Sequence, residues 1–203
     1  SISAYLTNEK IFKKTYEKEK DAFLHSTTYN GFSEECVTAI EAINIAVEEN
    51  FPQKAKEIEK EINLNFVKLK NKFPNIIEEL RGTGALHGIF FKKQFAIIQS
   101  IVKKINISFI NNNKVFLSKI FIAAIIEKLY SQYNILAKLG EKSISSSEIG
   151  GELVYLSVDP SLIIKNEEIQ YFFESLDKIL SEGVYKINFD FISNVLKKRF
   201  LKN

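Results

Sequence analysis

Three glycines, Gly82, Gly84 and Gly88, fall within seven residues of one short apolar stretch. Glycines this close together mark turns or tight backbone approach. Residues 76–84 and 85–91 therefore read as a β-unit. The segments around it carry helical periodicity. A chain with this order must pack helices against a short sheet, which excludes an all-helical bundle and an all-β sandwich.

Ser33 followed by Glu34 and Glu35 has the form of a helix start, with acids in the first turn. Val37, Ile40, Ile43 and Val47 recur every three or four residues and predict a buried stripe. After Asn50-Phe51-Pro52, a second helix is expected over 53–72, with Ala55, Ile58, Ile62, Phe66 and Leu69 facing inward. Its other face alternates Lys and Glu, the pattern of a solvated surface and not of a nucleic-acid patch. Further helices are expected over 9–16, capped by Asn8, over 115–133, from Asn166 to 180, and from Phe189 onward. Strands are expected over 2–6, 135–139 and 153–158, with a loop over 140–151. Residues 23–31 read as extended up to a turn at Asn30-Gly31. The pattern predicts a mixed α/β or α+β domain, with helices on one face of a short mixed or antiparallel sheet.

Composition narrows the function. The 203 residues carry 28 basic and 25 acidic side chains, a net charge of +3. Charge this balanced gives no reason to expect nucleic acid or a membrane surface. A single cysteine, Cys36, cannot form an internal disulfide, and no Cys/His cluster suggests a metal. A cytoplasmic protein is the default expectation. Only Arg81 and Arg199 are arginines among those 28 cations. An arginine set against so strong a lysine bias draws attention.

Four stretches, in order, resemble the C-terminal portion of the class III pyridoxal-phosphate-dependent aminotransferases of fold type I. Ile2-Ser3-Ala4-Tyr5-Leu6-Thr7-Asn8-Glu9-Lys10-Ile11 is similar to the segment that shortly follows the family's cofactor lysine. His25-Ser26-Thr27-Thr28-Tyr29-Asn30-Gly31 is similar to its His-x-x-Thr-Phe/Tyr-x-Gly motif. Leu80-Arg81-Gly82-Thr83-Gly84-Ala85-Leu86-His87-Gly88-Ile89 resembles its Arg-Gly-x-Gly-Leu-x-x-Gly-Ile stretch. Leu153 to Ile164, with Asp159-Pro160 at its turn, resembles the family's last strand and Pro-Pro turn. The likeness covers residues 1 to about 183.

The resemblance implies an α+β C-terminal domain over 51–203, preceded by the end of the large cofactor-binding domain and a connecting helix over 1–50. It implies pyridoxal 5'-phosphate as cofactor and an amino-group transfer between an amine or amino acid and a keto acid or aldehyde. It implies that Thr28, with Thr27 beside it, binds the cofactor phosphate of a partner subunit. It implies that Arg81 takes the substrate carboxylate, which a planar guanidinium holds by two parallel hydrogen bonds. The implied partners are a second subunit in a homodimer, or an upstream large-domain half, and a small-molecule substrate. No nucleic acid and no membrane are implied.

Some residues depart from the family pattern. Phe32-Ser33 stands where Asn-Pro is usual, and Glu34-Glu35 follow. The Schiff-base lysine would lie before Ser1, and Lys10, Lys13 and Lys14 are in a charged helix instead. We expect a fragment or split enzyme that is inactive alone, with no catalytic residue of its own. The alternative is a non-catalytic interaction or stabilising domain that keeps the aminotransferase fold. Read plainly, Arg81 is a surface cation paired with Glu78 or Glu79. His25 and His87 read as packing residues, and Cys36 as a small buried one.

Overall fold

The computed structural model describes residues 6–18, 21, 33–92, 97, 100–101, 114–143 and 152–200. The chain divides into two compact units, Ser1–Phe51 and Pro52–Asn203.

The first unit holds α1 (Glu9–Tyr16) and α2 (Ser33–Glu48). The Asn8 side chain accepts a hydrogen bond from the Ile11 amide at 2.9 Å, satisfying a first-turn donor as the sequence predicts. The strand expected over 2–6 and the extended run over 23–31 fall on residues that are not described, apart from Leu6, which lies outside any element. One expectation is overturned on α2. Val37, Ile40, Ile43 and Val47 are 59–73% exposed, and Cys36 is exposed too. Periodicity identifies which face of a helix is apolar. It does not supply a surface to cover that face.

The second unit begins with α3 (Phe51–Lys72), two residues earlier than expected. Its Ile58, Ile62, Phe66 and Leu69 are buried in the core. Full burial of each such side chain stabilises by roughly 1.5–3 kcal/mol. Next comes the hairpin of β1 (Ile77–Thr83) and β2 (Leu86–Phe91), joined by Gly84-Ala85. Gly84 adopts φ +58°, the positive value that two-residue hairpin turns require. Gly82, at φ +149°, lies so close to β2 that a Cβ there would come within 2.1 Å of the Leu86 carbonyl.

Helix α4 (Lys114–Tyr133) ends at Asn134, which takes φ +56°. The Ile135 amide then donates back to the Leu129 carbonyl at 3.0 Å, a left-handed helix cap. That cap explains a correction. The strand expected over 135–139 forms instead as β3 (Lys138–Ser143), running into the expected loop. Asn134 and Ile135 close the helix end, and pairing starts where Lys138 meets Ser157 on β4 (Glu152–Val158).

Helix α5 (Asn166–Ser181) starts one residue beyond its cap, which is Lys165 and not Asn166. The Glu168 carboxylate accepts from the Lys165 amide at 2.9 Å. Helix α6 (Val184–Phe200) begins five residues before the expected Phe189. Ile187 and Asn188, inside the added turn, are fully buried.

The sheet is antiparallel throughout, in the order β1-β2-β4-β3. Its period-2 alternation makes two distinct faces. Leu80, His87, Ile89, Phe91, Leu139, Val154, Leu156 and Val158 share the face that meets the helices, and α4 packs against β3, β4, α5 and α6. Glu79, Arg81, Gly88, Phe90, Lys138, Gly140, Tyr155 and Ser157 share the other.

Candidate functional site

Arg81 lies on that second face, opposite Gly88 in the hairpin. Its Nη2 donates to the carboxylate of Glu79, two residues away on the same strand face. That bond and the negative charge of Glu79 raise a guanidinium pKa that is already high, so Arg81 is a fixed cation. The Arg81 Cζ also sits over the Phe90 ring, 4.8 Å from its centroid. Tyr155 continues the stack, with its ring 5.2 Å from that of Phe90.

Two glycines make the stack possible. The Tyr155 ring lies across the backbone at Gly88 and Gly140. A Cβ would come within 2.6 Å of the ring at Gly88 and 2.2 Å at Gly140. Only hydrogen at both positions leaves room for the aromatic.

The hairpin that carries Arg81 is fixed from the helix side. Glu59 on α3 accepts the Gly84 amide at 2.8 Å and the Thr83 hydroxyl at 3.5 Å. His87 is buried, as its apolar strand predicts, and its Nδ1 has no hydrogen-bond partner. Burial pushes its pKa below the ordinary histidine value, against the opposing pull of Glu59. A neutral imidazole packed there is structural and is no candidate base.

Thr27, Thr28 and His25 lie outside the described residues. The sequence did not single out Phe90 and Tyr155. Their signal was nevertheless present: a two-residue turn at Gly84-Ala85 sets a register that puts Phe90 diagonal to Arg81 on one face.

Lys13 on α1 is exposed and pairs with Glu9 at 2.6 Å. Lys128 is the one buried lysine among the described residues. Its ammonium donates to both oxygens of Glu182, at 3.2 and 3.0 Å, and to Asp190 at 3.2 Å. Its donors are engaged by two carboxylates, so it serves the packing of α4 against α6. Among the described residues no group of three or more acids, histidines or cysteines could hold a metal ion. No described helix is long and apolar enough to cross a membrane.

Comparison with known proteins bears on the family and the fold. Residues 1–180 match the model of the family described as Aminotransferase class-III. The fold is similar to that of a Bacillus anthracis aminotransferase, with TM-score 0.55 and 19% identity over 84% of this chain and 33% of that one. It is also similar to a transaminase from the marine bacterium Virgibacillus, with TM-score 0.57 and 16% identity over 92% of this chain and 34% of that one. The chain thus spans about a third of the length of the solved structures it matches.

Proposed function

Because the chain belongs to the class III aminotransferase family, we propose that it is the substrate-binding C-terminal portion of a pyridoxal-phosphate aminotransferase. The completed enzyme moves an amino group between an amine or amino acid and a keto acid or aldehyde. Arg81 binds the substrate carboxylate. Thr28, assisted by Thr27, binds the cofactor phosphate of a partner subunit.

The observation that carries this reading is the setting of Arg81. A guanidinium has five N–H donors in a planar fork, and Glu79 engages only one edge. A second carboxylate can be held at the remaining donors. The ion pair with Glu79 is largely exposed, and exposed pairs contribute little, so it does not block exchange.

The family is generally pyridoxal-phosphate dependent, and when bound the cofactor supplies the electron sink for amino transfer. The described residues do not fit its ring: the one buried lysine is bound by Glu182 and Asp190. The Schiff-base lysine is therefore assigned to another portion of the enzyme. The exposed apolar stripe of α2 supports a partner, either that portion or a second subunit of a homodimer, because stripes of this kind are ordinarily covered.

The test is assembly. The chain is combined with the lysine-bearing portion of the family fold and pyridoxal phosphate, and visible absorbance and amino transfer are recorded. Bound cofactor with turnover is expected. A folded assembly that takes up no cofactor would refute the proposal.

A further inference from the structure

A long arginine is a good carboxylate ligand only if its guanidinium is already held where the anion arrives. Otherwise binding must freeze four side-chain torsions. Two contacts restrain Arg81: the Glu79 carboxylate and the Phe90 ring. They are not equivalent. Glu79 is 39% exposed at its side chain and competes with any anion for the same N–H groups. Phe90 is only 8% exposed. A π face attracts the cation without using a hydrogen-bond acceptor, so it fixes the group and leaves its donors to an anion.

The Phe90 ring is itself immobilised. Tyr155 packs against it, and Tyr155 is seated on the bare backbone of Gly88 and Gly140. The run from Gly140 to Arg81 therefore crosses all four strands on one face of the sheet. Nothing in hairpin formation requires this stack. Gly88 stands directly opposite Arg81, and a side chain there would collide with the Tyr155 ring. Its absence admits the ring.

We infer that Phe90 is the positioning residue for Arg81, holding its guanidinium against the sheet with its donors available to a carboxylate, and that Tyr155 on Gly88 and Gly140 backs it. This rests on the reading of Arg81 as a carboxylate ligand. Phe90 acts through Arg81 and touches no reacting atom.

The composition makes the test direct. With Arg199→Lys, Arg81 is the only arginine, and its Nε–Hε resonance in a ¹⁵N-labelled full chain needs no further assignment. Relaxation of that resonance gives the order of the side chain, and titration with acetate gives carboxylate affinity. Three replacements are compared: Phe90→Leu, Phe90→Tyr, and 3,4,5-trifluorophenylalanine at position 90. The fluorinated ring keeps the shape and weakens the π face, so it answers the question even where Phe90→Leu fails to fold. Loss of a cation–π contact at such a site corresponds to a weakening of about two- to fivefold.

The expected result is an ordered Arg81 in the parent and the Tyr variant. The Leu and fluorinated variants should show a mobile Arg81 and acetate binding weakened by that factor. Equal order and equal affinity in all four proteins would overturn the inference. If Arg81 loses order as expected but acetate never perturbs it, positioning by Phe90 stands and the carboxylate reading fails.

Discussion

The Gly140→Ala substitution isolates the packing on which the aromatic stack depends. The new Cβ would lie 2.2 Å from Tyr155 Cε2 and 2.3 Å from its Cζ. Carbon atoms pack at about 3.5–4.0 Å, so the ring must retreat by roughly 1.5 Å. Toward β2 the ring already lies over the backbone at Gly88. Phe90 stands beside it, 5.2 Å away between centroids. Overpacking of this kind costs about 1–3 kcal/mol. With Tyr155→Leu already in place the obstacle is gone, and alanine should be neutral or better than glycine in the strand, by about 0.5–1 kcal/mol. The two substitutions should therefore couple by at least about 1 kcal/mol. Urea unfolding of the four proteins in the cycle, followed by far-UV circular dichroism, measures this directly. If Gly140→Ala costs the same in both backgrounds, the ring does not lie over the glycine.

Two further predictions concern charge. His87 has a folded-state pKa below its ordinary value, mainly through burial. Its contribution to stability is complete above about 6.5 and declines as pH falls from there toward the folded value. His87→Phe should flatten that part of the stability–pH curve, and an unchanged slope would contradict the assignment. Burial pushes the Glu182 and Asp190 carboxyls up, but hydrogen bonds from Lys186 and Lys128 outweigh it and leave both pKa values lowered. Their contribution is present above about 4 and is lost as pH falls through the folded values. Lys128→Met removes the buried partner of both. Since Glu182 and Asp190 are partly solvated, the expected cost is about 1–2 kcal/mol, below that of a fully buried pair. A variant as stable as the parent would show that the cluster does not hold α4 to α6.

Much of the second unit was legible in the sequence because its signals are local. The period of α3, the glycines around β1 and β2, and the alternation of β4 each fix an element within a few residues. The failures arose where a distant partner decides. Strand β3 begins where β4 offers a register, after Asn134 and Ile135 have closed the preceding helix. The start of α6 follows the burial of Ile187 and Asn188, which composition alone does not reveal. The stripe on α2 has the period of a buried face, yet it is exposed among the described residues. At the candidate site, the scarcity of arginine, two residues among 28 cations, pointed to Arg81. Its aromatic support emerges only once the hairpin register places Phe90 and Tyr155 beside it.

The most direct test of the account compares two amino acceptors in the assembled enzyme with Arg81→Lys, one bearing a carboxylate and one an aldehyde without it. Lysine keeps the charge but loses the bidentate fork, so KM for the carboxylate acceptor should rise by about tenfold or more. The carboxylate-free acceptor should be used as before. Equal effects on both, or no effect on either, would contradict the assignment of Arg81 as the substrate's carboxylate ligand.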